Sequence, residues 1–250
     1  MSADLFDLTG KTAIVTGSTR GIGRAIALQL RDHGASVIVS SESPEDTAIA
    51  AAELGTTGVP CDVSDEVSLS HMVSTVVERF GGIDILVGNA GISGSLGESS
   101  LADFDRVMSV NLRSKVRLTE LALPHMAGRE NANVVLMSSI SGLRGNRALN
   151  AYSLSKAAVA QLARNIAVQW GPSGVRANSI APGMIATDMV RSALDDAAFA
   201  ERRVAQTPLR RFGTPEDVAG AALFLASPAA AFVTGHNLVV DGGTVIGDGS

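Results

Sequence analysis

Seven short apolar runs, Thr12–Thr16, Ser36–Ser40, Gly58–Pro60, Ile83–Val87, Asn133–Met137, Val175–Ile180 and Asn237–Val240, alternate with segments patterned as helices. Most are rich in Val and Ile and free of charge, as strands are when a sheet is covered on both faces. Strands joined through helices make right-handed crossovers, so the predicted fold is α/β, a doubly wound, mostly parallel seven-stranded sheet with helices on both faces. The punctuation agrees. Ser43-Pro44-Glu45-Asp46 offers an N-cap, a proline at the first helical position and acid in the first turn, with Gly55 as a stop. Ser64-Asp65-Glu66 opens a helix that ends before Gly81-Gly82, and Thr214-Pro215-Glu216-Asp217 opens another. No linker, repeat or low-complexity tract divides residues 1–250, which read as one domain. The irregular stretch from Pro182 to Arg211 is the exception, and a lid is expected at about residues 184–212.

Several classes of function are disfavoured at once. A net charge of −5 is wrong for a phosphate-backbone surface, so no nucleic-acid partner is expected. Met1–Gly10 carries Asp4 and Asp7 and does not read as a signal peptide, and no apolar stretch approaches bilayer-spanning length. The single cysteine, Cys61, cannot pair within the chain, and neither it nor His125 has partners at ligand spacing, so no metal is expected. The expectation is a cytoplasmic protein.

The first strand runs into Thr16-Gly17-Ser18-Thr19-Arg20-Gly21-Ile22-Gly23, and a helix follows. Glycines at 17, 21 and 23 let the backbone approach a ligand, and the helix N-terminus offers N–H groups and a positive dipole end to a pyrophosphate. Its place in a strand–helix–strand unit makes the turn a phosphate cradle of Rossmann type. Farther along, Tyr152-Ser153-Leu154-Ser155-Lys156 places the only tyrosine and an ammonium on one helix face. A nearby cation favours the phenolate, so the lysine can bring the phenol towards a useful acid–base range. Ser139 lies 13 residues before Tyr152, just past strand Asn133–Met137, where ligands bind in open parallel sheets. Ser138 and Ser141 compete with it, and register favours Ser139.

Together the Gly-x-x-x-Gly-x-Gly turn, Ser139-Ile140-Ser141-Gly142 and Tyr152-x-x-x-Lys156 resemble the classical short-chain dehydrogenases/reductases. Further motifs spread the resemblance over essentially the whole chain. Cys61-Asp62-Val63 resembles the segment that contacts adenine. Gly88-Asn89-Ala90-Gly91 is similar to the family's Asn-Asn-Ala-Gly, with Gly88 in place of the first Asn. Pro182-Gly183-Met184-Ile185-Ala186-Thr187 resembles the nicotinamide loop, and Thr234-Gly235 with Val240-Asp241-Gly242-Gly243 the C-terminal strand and turn.

The resemblance implies an NAD(P)-dependent oxidoreductase that transfers a hydride between nicotinamide and a ketone or secondary alcohol. It implies that Tyr152 exchanges the substrate proton, Ser139 bonds the substrate oxygen, Lys156 holds the ribose and tunes Tyr152, and Asn111 helps hold a relay water. The implied cofactor contacts are Gly17, Ser18, Thr19, Arg20, Gly21, Ile22, Gly23, Ser41, Asp62, Val63, Asn89, Ala90, Gly91, Tyr152, Lys156, Pro182, Gly183, Ile185 and Thr187. It also implies a homotetramer or homodimer, for which Ala157, Ala158, Ala160, Ala163 and Ala167 supply small side chains, unless they face the sheet.

Ser41 stands, by the same resemblance, where NAD-selecting members carry an aspartate, and Arg20 could pair with a 2′-phosphate. Glu42 opposes both, so the balance leans to NADP(H) with NAD(H) left open. Ile92, Ser141, Leu143, Asn146, Leu149, Met184 and Met189 are expected to line the substrate site, and Arg144 and Arg147 to meet an anionic substrate or solvent. Two rivals remain: a cofactor-binding protein without turnover, which would lose the tyrosine or lysine, and an epimerase or dehydratase of the longer relatives, whose glycine spacing differs.

Overall fold

The computed structural model describes residues 4–94, 100–146, 150–191 and 195–247. Its seven strands are β1 (Thr12–Thr16), β2 (Ser36–Ser40), β3 (Thr57–Gly58), β4 (Ile85–Gly88), β5 (Asn133–Met137), β6 (Arg176–Pro182) and β7 (Asn237–Val240). They form one sheet in the order β3-β2-β1-β4-β5-β6-β7, and every pairing is parallel. The helices between them are α1 (Gly21–Asp32), α2 (Pro44–Leu54), α3 (Glu66–Phe80), α4 (Leu101–Met108), α5 (Ser114–Met126), α6 (Asn150–Trp170), α7 (Ala197–Ala205) and α8 (Pro215–Ala226). A π-helical turn, Ser109–Arg113, joins α4 to α5. The strand order reverses direction between β1 and β4, the place where such sheets leave a crevice at their carboxyl ends.

Period-two alternation divides the apolar side chains between two cores. Val15, Val39, Ile85 and Val87 face α1 and α8, meeting Ile26, Leu30, Val218 and Ala222. Ile14, Ile38, Leu86, Val134 and Leu136 face the other layer, meeting Met72 of α3, Leu118 and Met126 of α5 and Val159 of α6. Burial on both faces is why the strands read as continuous apolar runs.

The caps fall where the sequence puts them, with small shifts. Ser43 Oγ accepts from Asp46 N (3.1 Å), and Gly55 ends α2 at φ +60°. Asp65, one residue past Ser64, caps α3 through Val67 N, and Thr214 with Asp217 forms a reciprocal capping box on α8. The ladder of β3 is shorter than Gly58–Pro60 suggests: Val59 N and Cys61 N donate to Val39 O and Ser41 O, but Ser41 N turns to Thr47 Oγ1 (3.1 Å) instead of returning a bond to β3. β4 starts at Ile85 rather than Ile83: the Asp84 carboxylate takes Thr12 N (2.8 Å) and pairs with Arg129 (2.8 Å). β6 runs beyond Ile180 to Pro182, paired there with β7.

One charge inside an apolar strand has a clear purpose. Arg176 is buried in β6 and donates to the carbonyls of Leu225, Ser227 and Val233, satisfying acceptors at the C-terminal end of α8. No helix among the described residues is long and apolar enough to cross a membrane.

Candidate active site

The glycine turn leaves β1 at its carboxyl end. Gly17 has φ +61°, and a Cβ there would lie 2.9 Å from Ala90 Cα, so only glycine fits against the turn that follows β4. Asn89 locks the two turns together: its side chain donates to Thr16 O (3.0 Å) and Gly17 O (2.9 Å). Thr16 Oγ1 in return accepts from Asn89 N (3.1 Å) and Ala90 N (3.2 Å). Ser18 points inward, donating to Val15 O (2.6 Å) and accepting from Ser40 N (2.8 Å), so its hydroxyl ties β1 to β2.

Whether this turn fits a pyrophosphate can be judged from the helix ends. Ser43, Asp65, Ser100 and Thr214 cap α2, α3, α4 and α8 through side chains, but at α1 the N-cap Arg20 supplies no side-chain bond. The first N–H groups of α1 are thus left for a ligand, beside a cleft of about 530 Å³. Thr19, Arg20, Ile22, Ser41, Glu42, Val63, Asn89 and Gly91 line it, and Thr187 reaches it from the far side. A Cβ on Gly21 would come within 3.5 Å of Thr187 Cγ2, which puts the stretch after β6 directly opposite the phosphate cradle. These residues fit a dinucleotide.

Not every expected contact presents its side chain to the cleft. The Asp62 carboxylate folds back on Ser64 N and Oγ (2.8 and 2.7 Å), while its neighbours Cys61 and Val63 line the wall. Ile185 is buried in the core, and Gly183 packs on Asp241, so neither offers a side chain there. Ser41 Oγ donates to Ser43 O (3.2 Å) and shares a bond with Thr47. Cys61, Ile92, Ser93, Val110, Asp188 and Met189 also line the cleft.

Ser139, Tyr152 and Lys156 converge at the carboxyl end of β5. The hydroxyls of Ser139 and Tyr152 are hydrogen-bonded, and Lys156 Nζ sits 5.3 Å from the Tyr152 ring centroid while donating to Met137 O (2.9 Å). Ser138 is settled elsewhere, since its hydroxyl donates to Lys156 O (2.8 Å), and Ser141 Oγ accepts from Asn146 (3.3 Å). Asn111, fully buried in the π-helical turn, accepts from Ile92 N (2.8 Å) and donates to Ile92 O (2.9 Å) and Ser155 Oγ (3.1 Å). π-turns inside helices often mark functional positions, and here the turn aims an amide across to α6.

The electrostatics depart from the expectation for Tyr152. Burial pushes its phenol up from the ordinary value, with the Ser139 bond opposing, and Lys156 itself is pushed down to about 8 by burial. Desolvation outweighs the Ser139 bond at the phenol, which spacing along a helix could not reveal. Of Ala157, Ala158, Ala160, Ala163 and Ala167 on α6, the last three are buried and Ala157 is exposed, as are Leu154 and Val168. Leu149 and Arg147 lie outside the described residues.

A glycine turn and uncapped helix end at a sheet's switch point, beside a hydrogen-bonded Ser–Tyr pair with a lysine, is the arrangement of a dinucleotide-dependent oxidoreductase. Comparison with known proteins agrees. The family model described as enoyl-(acyl carrier protein) reductase matches residues 17–245. The chain is 38% identical over 246 residues to dehydrogenase/reductase SDR family member 4 of Bos taurus, covering 95% of this chain and 88% of that one. It is 36% identical over 250 residues to the 7alpha-hydroxysteroid dehydrogenase of Escherichia coli, covering 98% of each. A crystal structure of a 7 alpha-hydroxysteroid dehydrogenase with NADH and 7-oxo glycochenodeoxycholic acid superposes with a TM-score of 0.90 at 37% identity, covering 97% of both chains. A short-chain type dehydrogenase/reductase from Mycobacterium marinum gives 0.90 at 34%, covering 96% and 98%. The chain belongs to the short-chain dehydrogenase/reductase family. It is an NAD(P)-dependent oxidoreductase that moves a hydride between nicotinamide and an alcohol or ketone.

Proposed function

We propose that residues 1–250 act as one catalytic domain that interconverts a ketone and a secondary alcohol, with Tyr152 as the proton donor. The observation that carries this reading is the Ser139–Tyr152 hydrogen bond with Lys156 beside the ring, at the strand ends next to the dinucleotide cleft. Bound nicotinamide supplies or accepts the hydride. Ser139 donates to the substrate oxygen, Tyr152 O–H gives it a proton as the carbonyl is reduced, and the Lys156 ammonium stabilises the phenolate left behind. Asn111, through Ile92 and Ser155, orders the helix turn from which Tyr152 and Lys156 project. Segment 184–212 serves as the lid. Its base is closed by the Ile185–Gly213 bridge, with Gly213 N donating to Met184 O (3.0 Å) and Ala186 N to Gly213 O (2.9 Å), and Thr187 to Met189 reach the cleft.

The pKa directions fix the sign of the pH response. Below about 8 Lys156 is protonated and Tyr152 holds its proton, so both are ready for ketone reduction. As pH rises through about 8 the ammonium is lost, the phenolate loses its stabilising charge, and kcat for reduction falls. A plot of log kcat against pH is expected to be flat below that value and to decline above it; a profile still rising at pH 9 contradicts the assignment.

For the cofactor we favour NADP(H). Arg20 and Glu42 both line the adenosine end of the cleft and Ser41 lacks a charge to repel a 2′-phosphate. Glu42→Arg is then expected to raise the ratio of kcat/KM for NADPH over NADH by at least about tenfold, one like-charge contact of about 1.4 kcal/mol being removed. An unchanged ratio removes Glu42 from the 2′ position.

For the substrate, Arg144, in the loop after Ser139, and half-buried Arg203 of α7 repel one another, and neither pairs with a carboxylate among the described residues. A ketone bearing an anionic group would relieve that repulsion. A screen at 340 nm with both cofactors, over ketones, their carboxylated counterparts and an enoyl thioester, tests the reading. Turnover of ketones supports it; turnover of the enoyl thioester alone assigns double-bond reduction instead, and cofactor binding with no turnover assigns a sensor. We place the enzyme in the cytoplasm as a homotetramer or homodimer, the exposed Leu154 and Val168 on α6 offering contact surface.

A further inference from the structure

Lysine is almost never fully buried without a counter-charge. Lys115 of α5 is only 2% exposed and forms no ion pair among the described residues. Its Nζ donates to Ala90 O at 2.6 Å. Its stem crosses the face of Gly88: a Cβ placed there would lie 3.5 Å from Lys115 Cγ, 3.8 Å from its Cδ and 2.8 Å from Leu136 Cδ2. A side chain at position 88 would overlap Leu136 Cδ2 at its Cβ and lie in contact along the Lys115 stem.

The group that Lys115 holds is central to the site. Ala90 is the residue against which Gly17 packs, its N–H is taken by Thr16, and Gly91 next to it lies beside Asn111 and Lys156. Thr16 and Asn89 secure this turn on the glycine-turn side, while Lys115 secures it from α5. We infer that Lys115 is a positioning residue for the cofactor, replacing from α5 the side chain absent at Gly88 and fixing the Asn89–Gly91 turn through the Ala90 carbonyl. This rests on the reading that the cleft binds a nicotinamide dinucleotide. Burial and the charge of Lys156 push the Lys115 ammonium well below the usual lysine range.

The test is a fluorescence titration of NADPH and NADH on the purified chain and its variants, with the melting temperature of each measured alongside. Lys115→Met keeps the apolar stem and loses the N–H. It is expected to weaken cofactor binding about tenfold, one buried hydrogen bond's worth, and to raise the cofactor KM with kcat within about twofold. A folded Lys115→Met with wild-type affinity overturns the inference, even if its melting temperature falls, because that is the signature of a space-filling role. A reciprocal cycle serves if that variant does not fold. Gly88→Asn alone should weaken binding, since Leu136 and the Lys115 stem together leave no room for its amide, whereas Gly88→Asn in a Lys115→Ala background should strengthen it relative to Lys115→Ala. Additive effects in the cycle overturn the inference. Failure of the wild-type chain to bind either dinucleotide overturns the cleft assignment itself, a result distinct from wild-type affinity in Lys115→Met.

Discussion

Tyr152→Phe is expected to lower kcat by about 10³-fold or more while leaving the cofactor dissociation constant within about twofold, general acid–base catalysis contributing 10²–10⁴. The substitution removes one oxygen. The ring remains to pack beneath Lys156 Nζ, and the bonds that hold the lysine and the cofactor turn, Lys156 to Met137 O and Asn89 to Gly17 O, do not involve the phenol. Ser139 keeps its acceptor bond from Ser141 N (3.1 Å) and stays in place. Only the proton supply is lost. Steady-state rates with a ketone substrate, paired with a cofactor titration, check both halves; a variant retaining more than about a tenth of kcat removes Tyr152 from proton transfer.

Gly23→Ala carries the second large effect, and it acts before chemistry. A Cβ on Gly23 would overlap the Gly17 carbonyl oxygen and crowd the Asn89 amide that bonds the same oxygen. Neither neighbour is the free end of a flexible chain: one is backbone and the other is held at Thr16 O and Gly17 O. The first turn of α1 must move away from β1, which displaces its free N–H groups and breaks the Asn89 lock together. Overpacking of this kind costs about 1–3 kcal/mol in stability. Cofactor affinity is expected to fall by about 100-fold or more, since two to three bonds to a charged group are misplaced at about 1.5–3 kcal/mol each. Thermal unfolding and dinucleotide titration of the variant report the two effects. Ala at position 23 with unchanged affinity contradicts the assignment of this turn as the phosphate cradle.

The parts legible in the sequence are those that physics makes local. Strands covered on both faces print as apolar runs, and the glycines at 17, 21 and 23 print as a spacing because close backbone approach at 17 and 23 permits nothing larger and Gly21 turns at φ +55°. Caps at Ser43 and Thr214 need only the adjoining residues to be recognised. Register favours Ser139 over Ser138 in the sequence, and in the fold the Ser138 hydroxyl donates to the Lys156 carbonyl.

What the sequence hides depends on partners far along the chain. Val110-Asn111-Leu112 carries no sign of the two-point clamp on Ile92 or of the π-helical turn that aims it. Lys115 reads as a surface lysine until its stem is seen to cross Gly88, and Arg176 reads as an interruption of β6 until the open carbonyls after α8 appear. Helical spacing suggests that Lys156 lowers the Tyr152 phenol, but the depth of the site, a property of the whole fold, raises it. The alanines of α6 split between core and surface for the same reason: composition along a helix does not say which face the sheet takes.

Hydride transfer to a carbonyl carbon is the central claim, and isotope transfer tests it most directly. The purified chain is incubated with a ketone that it turns over and with cofactor deuterated at C4, each face in turn, and the product is examined by mass spectrometry. The expected product is the secondary alcohol with one deuterium on its carbinol carbon from one of the two labelled faces and none from the other. Alcohol formed without deuterium from either face, or deuterium on a carbon other than the carbinol, contradicts it.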